Sequence, residues 1–268
     1  MSLSPLAARK GEGRTHEALA HFTGGMTVPL SSPRYGGMEG DDFGMKAGGT
    51  YVYNFDDRWA VMTGLEFANY SGRITYKKLT DSYSTTDDRV TPSNAVTYSY
   101  SISNYRETQT LSLLSLPLML RMKTDLDTRT SLYFAAGGKV ALPMLAQAKM
   151  SGKLTSSANF DHENVVYSNL PGHDFFDGET FGAQGKKIET KTAVILSLES
   201  GLRFAIGRIM LYAALNFDCS LNNIKGASEK HPLNFAETGL YCESLLNTTF
   251  TERLKINSFG LKLGFGFF

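Results

Sequence analysis

Five histidines, two cysteines and a pair of adjacent aspartates are the residues of this chain whose types could do catalysis or bind metal. His16 and His21 stand at or before the first apolar stretch, while His162, His173 and His231 fall in polar inserts. No His-x-x-x-His or Cys-x-x-Cys spacing links them, so a metal site finds no support. A hydroxyl nucleophile needs a base within hydrogen-bond reach. His162 with Ser168, and His231 with Ser228, meet that condition only by nearness in sequence. Asp41 and Asp42 in "GMEGDDFG" sit beside glycines as turn residues do, with a weak calcium or lipopolysaccharide-cation contact as the alternative. No catalytic residue, cofactor site or metal ligand is assigned, and the chain is expected not to be an enzyme.

A second set of charged residues is spaced far more regularly. Lys46, Glu66, Arg121, Lys139, Glu199, Arg203 and Lys262 each lie opposite an aliphatic stripe in a segment that alternates with period two. In the last segment, "INSFGLKLGFGFF", Phe259, Leu261, Leu263, Phe265 and Phe267 share one face, and Ser258, Gly260, Lys262, Gly264 and Gly266 the other. Seven more segments repeat the pattern, beginning at His21, Phe43, Trp59, Thr110, Thr130, Thr190 and Ile209. Leu118, Leu198 and Leu211 mark their aliphatic faces.

The connections sort by parity. "NFDDRW", "TDLDTR" and "AIGR" after the second, fourth and sixth strands are tight, whereas three of the remaining four are long and polar, at 78–106, 151–187 and 221–252. A soluble sandwich has no reason to alternate loop length; a membrane barrel has short periplasmic turns and long outer loops. The expected fold is all-β: an eight-stranded antiparallel up-and-down transmembrane β-barrel with long outer loops, with 1–19 as an N-terminal periplasmic tail and 20–268 as the barrel domain. The seven charges would then point into a lumen just wide enough for side chains to fill, where both signs can pair. Gly44, Gly48, Gly64, Gly137, Gly201 and Gly264 on that face would make room for them. Tyr51, Tyr53, Phe55, Trp59, Phe204 and Phe267 gather near the tight turns and the C-terminus, as an interfacial aromatic girdle would.

Composition removes other classes. The 27 basic and 26 acidic residues nearly cancel, so no basic footprint for nucleic acid exists. No apolar run is long enough for a transmembrane helix, and the N-terminal twenty residues carry no apolar core of signal-peptide length. A mean hydropathy of −0.19 looks soluble, yet alternation keeps that average ordinary in membrane barrels too. A soluble lipocalin-like ligand-binding barrel is therefore a third reading.

"LSLPLMLRMK", a turn and then "SLYFAAGGKVALPM" resemble the paired strands of the PorT-like outer-membrane β-barrel families of Bacteroidetes, in which a Leu-x-x-Pro-Leu strand precedes a Gly-rich Tyr-x-x-x-Gly strand. "DDRWAVMTGLEF" and "LESGLRFAIGRIMLYAALNF" resemble other hairpins of those families, and the likeness runs over roughly 20–268. It implies the outer membrane of a Gram-negative bacterium and no catalytic residues. One departure concerns the end of the chain: Phe267 holds the lipid-facing parity at which barrel-insertion signals finish, and Phe268 is one step off.

Cys219, at the outer end of the seventh strand, and Cys242, in the loop after it, would both face an oxidising exterior. A disulfide stapling that loop is the expectation, two unrelated thiols the alternative. The expected partners are outer-membrane lipid and a protein or glycan at the outer loops, with no cofactor. The expected role is structural or binding, in envelope integrity, adhesion or as an accessory to a secretion or uptake complex. A narrow pore for small solutes is the runner-up.

Overall fold

Eight antiparallel strands, each paired with its chain neighbour, close into a ring when the last meets the first. They are β1 (His16–Val28), β2 (Asp42–Asn54), β3 (Trp59–Asp87), β4 (Asn94–Asp125), β5 (Thr130–Phe160), β6 (Ala193–Ile206), β7 (Ile209–Ser220) and β8 (Asn257–Phe267). The computed structural model describes residues 16–28, 31–35, 37–40, 42–87, 94–160, 165–226, 231–236 and 239–267. The closing register runs from Ala18 opposite Phe267 to Val28 opposite Asn257.

Leu118, Leu198 and Leu211 are 64%, 43% and 44% exposed, whereas Glu66 and Arg203 are 5% and 6%. The aliphatic stripes therefore face outward and the charges inward, which excludes a soluble barrel with an apolar centre. Turn chemistry sets the short ends. The Asp56 carboxylate accepts from the amides of Arg58 and Trp59 (2.7 and 2.6 Å), and Asp127 does the same for Arg129 and Thr130 (2.7 and 2.8 Å). Tyr51, Tyr53, Phe55, Trp59, Phe204 and Phe267 are exposed on the wall at this end.

Two boundaries differ from expectation. β1 starts at His16, inside the segment assigned to a periplasmic tail, because Glu17 and Leu19 point inward while Ala18 pairs with Phe267. Ala18 and Ala20 make too weak a stripe to announce a strand. The second difference is larger. A membrane-spanning strand needs about 9–11 residues, which suits β7 and β8 at 12 and 11, but β3, β4 and β5 have 29, 32 and 31. Residues 78–106, expected to be an outer loop, are mostly strand, with Lys78 opposite Ser103 and Asp87 opposite Asn94. Much of 151–187 is strand as well: β5 runs on to Phe160, and Asp177–Lys187 pairs along its edge. Tyr, Thr and Val favour strands whatever their hydropathy.

Bulges hide that continuation from a parity count. On β4 the inward residues are Tyr105, Glu107, Gln109 and Leu111, then, beyond a register break at Asn104 (φ 54°), Ile102, Tyr100, Tyr98 and Val96. On β5 a second break near Met144 moves the inward set from Lys139 and Ala141 to Ala148, Met150 and Leu154.

The insert after β7 folds back into the mouth. Leu233–Ala236 pairs with Gly239–Cys242, a 3-10 turn covers Leu245–Asn247, and Thr251–Leu254 pairs with Ser31–Pro33. Its Ile224, Leu233, Leu245, Leu246 and Phe250 are buried against Tyr76, Tyr100, Ile102, Met150 and Leu154 of the tall wall. The apolar core thus fills the outer half, and the membrane half is filled with polar groups.

The inner glycines answer mainly to the close approach of the neighbouring strand's backbone rather than to the bulk of the charges. A Cβ on Gly64 would lie 2.0 Å from the Gly49 carbonyl oxygen, and one on Gly137 2.2 Å from that of Leu118.

Candidate functional site

All seven charges predicted for the lumen lie there, in three ion-paired groups that ascend from the tight turns. Nearest the turns, Arg121 grips Glu17 with two bonds of 3.1 Å, and Arg203 Nη2 adds a third at 3.2 Å. The Tyr212 hydroxyl (2.7 Å) and Asn54 Nδ2 (3.1 Å) also donate to the Glu17 carboxylate. Further up, Glu199 accepts from Lys262 Nζ (2.8 Å) and the Tyr133 hydroxyl (2.5 Å). In the upper group Lys139 Nζ bridges Glu66 (2.9 Å) and Asp218 (3.1 Å), and Lys46 Nζ donates to Asp218 (2.5 Å) and Asn216 (2.8 Å). His21 Nε2 lies 3.3 Å from Glu66.

Such charges persist in a dry interior only as pairs, since an unpaired one faces a desolvation penalty of several kcal/mol. Glu17 and Asp218, absent from the seven, supply carboxylates that Arg121, Arg203, Lys46 and Lys139 need. Asp218 could be found on the inward parity of β7; Glu17 sat beyond the expected start of β1. Among the described residues the lumen holds a cavity of about 10 Å³ against Arg121 and Tyr133 and another of about 10 Å³ against Glu66 and Lys139. That is room for about one water apiece.

Above the charges, Glu107 is fully buried on β4 with hydrogen-bond donors for company. It accepts from the Tyr105 hydroxyl (2.6 Å), Gln109 Nε2 (3.0 Å), Ser244 Oγ (2.7 Å) and the Leu245 amide (2.9 Å). The last two belong to the insert, so this carboxylate ties the cap to the wall. Lys225 Nζ donates to the carbonyls of Thr248 (2.6 Å) and Thr251 within the cap. The Tyr76 hydroxyl donates to the Arg34 carbonyl (2.6 Å), and burial pushes its pKa up to about 12. Burial, then the neighbouring Glu107, also raises the Tyr105 phenol.

Higher still, Phe235 stacks on Tyr98 at 4.5 Å and its amide donates to the Tyr83 hydroxyl (2.7 Å). His231 stacks on Tyr83 at 4.3 Å and places Nδ1 2.8 Å from Asp81. It is a docking residue of the cap. His16 bonds the Tyr51 hydroxyl at the turn end, and His173 and Ser168 are exposed in the outer region. His162, Ser228, Asp41, Phe268 and the Asp42 side chain lie outside the described residues. Among the described residues no group of His, Cys, Asp and Glu could hold a metal ion.

The expected disulfide is not formed: Cys219 and Cys242 are both free thiols. Cys219 shares the outward parity of Leu215 and Phe217, while Cys242 is buried in the cap core, so their side chains point to opposite sides of the wall. Burial pushes the Cys242 thiol up to about 11.

A closed antiparallel ring, an apolar exterior with an aromatic edge and an ion-paired lumen define a transmembrane β-barrel of the Gram-negative outer membrane. The chain matches the family model "Outer membrane protein beta-barrel domain" over residues 14–226 and belongs to that family. β8, which closes the ring, lies beyond the matched segment. Solved structures of similar fold include Neisserial surface protein A (12% identity, TM-score 0.37, covering 94% of this chain and 96% of that one). OprG from Pseudomonas aeruginosa aligns at 13% identity and TM-score 0.43, covering 94% and 95%. Ail of Yersinia pestis, solved with the heparin analogue sucrose octasulfate, aligns at 9% and 0.27, covering 94% and 98%. No curated protein sequence matches the chain.

Proposed function

We propose that this outer-membrane barrel is a non-conducting, non-catalytic scaffold that presents its tall outer sheet and cap to a protein or glycan partner. One observation carries this: among the described residues the lumen is occupied by ion pairs in the membrane half and by Leu245, Leu246 and Phe250 in the mouth, and the spaces beside the charges at Arg121 and at Glu66 are about 10 Å³ each. A pore for solutes needs a continuous wet path, and these spaces hold about one water each.

Regular strand pairing supports the same role. Three strands of about thirty residues carry the outer surface well clear of the bilayer as paired sheet, so a partner meets an ordered surface with little entropy left to lose on binding. Envelope integrity, adhesion and service to a secretion or uptake complex all suit such a surface. Kinship with the PorT-like barrels of Bacteroidetes is part of the proposal and rests on the "LSLPLMLRMK" and "SLYFAAGGKVALPM" pair.

Planar-bilayer recording of the pure protein tests closure. A silent bilayer is the expected result; steady single-channel currents would overturn the scaffold in favour of the narrow pore.

A further inference from the structure

Among the described residues, the wall is interrupted between β5 and β6. β6 begins at Ala193 opposite Ala141, and Asp177–Lys187 leaves β5 opposite Gln147. Between those points the edge of β5 has a single backbone bond, from the Ile188 amide to the Ala146 carbonyl (2.9 Å). Two features hold the seam apart. Pro143 has no N–H to offer a neighbour, and the bulge near Met144 turns both Met144 and Leu145 outward, at 62% and 45% exposure. The chain beyond Ile188 is drawn toward the cap, where the Lys191 amide bonds the Ile224 carbonyl (2.8 Å). What remains is a slot of about 470 Å³ between Pro143, Met144 and Leu145 on one side and Lys187 and Thr190 on the other, with Gln147 at its rim. That volume lies within the range of small-ligand clefts, about 300–1,000 Å³.

Height and charge select the occupant. On β5 the exposed apolar residues end at Leu145, and the next outward positions are Gln147 and Lys149. The slot thus sits at the upper edge of the lipid band, in the outer leaflet. Thr108 on β4 faces Lys149, which sets Arg106 diagonal to Lys149, and Gln147 faces Lys187, which sets Lys187 diagonal to Lys149 on the other side. Diagonal neighbours on paired strands are about 7–8 Å apart, so three exposed cations step down the wall to the slot. None of the three pairs with a carboxylate among the described residues.

A slot with Pro143, Met144 and Leu145 along one side and Gln147, Lys187 and Thr190 at its polar rim, beside a diagonal of exposed cations, matches a molecule with fatty chains below and phosphates above. We infer that the seam between β5 and β6 is a binding site for a phosphorylated glycolipid of the outer leaflet, with an acyl chain in the slot and phosphates on Arg106, Lys149 and Lys187. The site is on the lipid-facing wall and does not depend on what the outer sheet binds.

Native mass spectrometry of the full chain in detergent tests it, with bisphosphorylated lipid A as probe and the same lipid after dephosphorylation as control. The phosphorylated form is expected to bind at least about tenfold more tightly, because each Lys or Arg near such a surface contributes on the order of a factor of five. R106Q/K149Q/K187Q should abolish the difference, M144D should weaken both lipids, and inorganic phosphate at equal concentration should displace neither. All variants are first shown to keep the heat-modifiable gel shift of a closed barrel. Equal binding of the two lipids by the native chain, or a preference that survives the triple substitution, would overturn the site. So would cross-linking through the slot that reveals a second copy of the chain seated there.

Discussion

Glu17 and Arg203, separated by 186 positions in the chain, meet at 3.2 Å inside the barrel, with Arg121 on the same carboxylate. The contact joins β1 to β6, which are not neighbours in the ring, so it braces the barrel across its lumen. Replacing Glu17 with Gln would leave two buried guanidinium groups facing a neutral amide. Breaking a buried pair costs about 3–5 kcal/mol. The E17Q barrel should lose its heat-modifiable mobility at a markedly lower temperature, whereas E252Q, in an exposed contact with Arg34 at 3.9 Å, should leave that temperature within error. Equal melting of the two variants would contradict a structural role for the lumen pairs.

Gly64 makes the same point about the wall. An added Cβ would lie 2.0 Å from the Gly49 carbonyl oxygen, a backbone atom that yields only if the strands part. Overpacking of this kind costs about 1–3 kcal/mol or more. G64A should refold poorly into detergent micelles, while G172A, with open space around it, should refold as the native chain does. The yield of heat-modifiable protein measures both.

The membrane half of this fold was readable because its rules are strict: lipid demands an apolar residue at every second position, and tight turns demand Asp, Asn or Gly. That is how Lys46, Glu66, Arg121, Lys139, Glu199, Arg203 and Lys262 could be assigned to one interior from spacing alone. The outer half obeys looser rules. Tyr98, Tyr100 and Ile102 do alternate, but the bulge at Asn104 shifts them out of phase with Glu107 and Leu111, and polar residues fill the places between. Glu17 was hidden by the small side chains around it, and Glu107 by lying within a run of polar residues. The Cys219–Cys242 pairing failed for a reason that parity did contain: Cys219 shares the outward face of Phe217, and a residue buried in the cap cannot reach it through the wall.

The thiols themselves are testable. Cys242 should resist a water-soluble maleimide near neutral pH in the folded protein, and Cys219, facing lipid, should react only with a membrane-permeant reagent. Mass spectrometry of non-reduced protein should find both free; a mass lower by two hydrogen atoms would restore the disulfide.

Alkali should release the cap while sparing the barrel. A thiol raised from 9 to about 11 in the folded state stabilises that state fully below pH 9, and the contribution fades as pH climbs to 11. The phenol of Tyr76, raised from 10 to about 12, extends the loss over the next unit. Proteolysis within 221–256 should accordingly be slow up to about pH 9 and accelerate between about pH 9 and 12, with the gel shift of the barrel retained. Cleavage with no pH dependence across that window would mean that these groups do not hold the cap.

Glu107 supplies the most direct handle on closure. Its carboxylate satisfies Ser244 Oγ and the Leu245 amide of the cap together with Tyr105 and Gln109 of β4. E107A strands those donors in an apolar interior, and each one left unsatisfied costs about 1–3 kcal/mol. Because none of the four lies in the lumen ion pairs, the loss should fall on the cap: protease should cut within 221–256 at neutral pH, where the native chain resists, and the barrel should still show its heat-modifiable shift. Conductance then separates two kinds of plug. If the ion pairs alone seal the lumen, E107A stays silent in a planar bilayer; if the cap is the seal, the variant opens and the native chain does not.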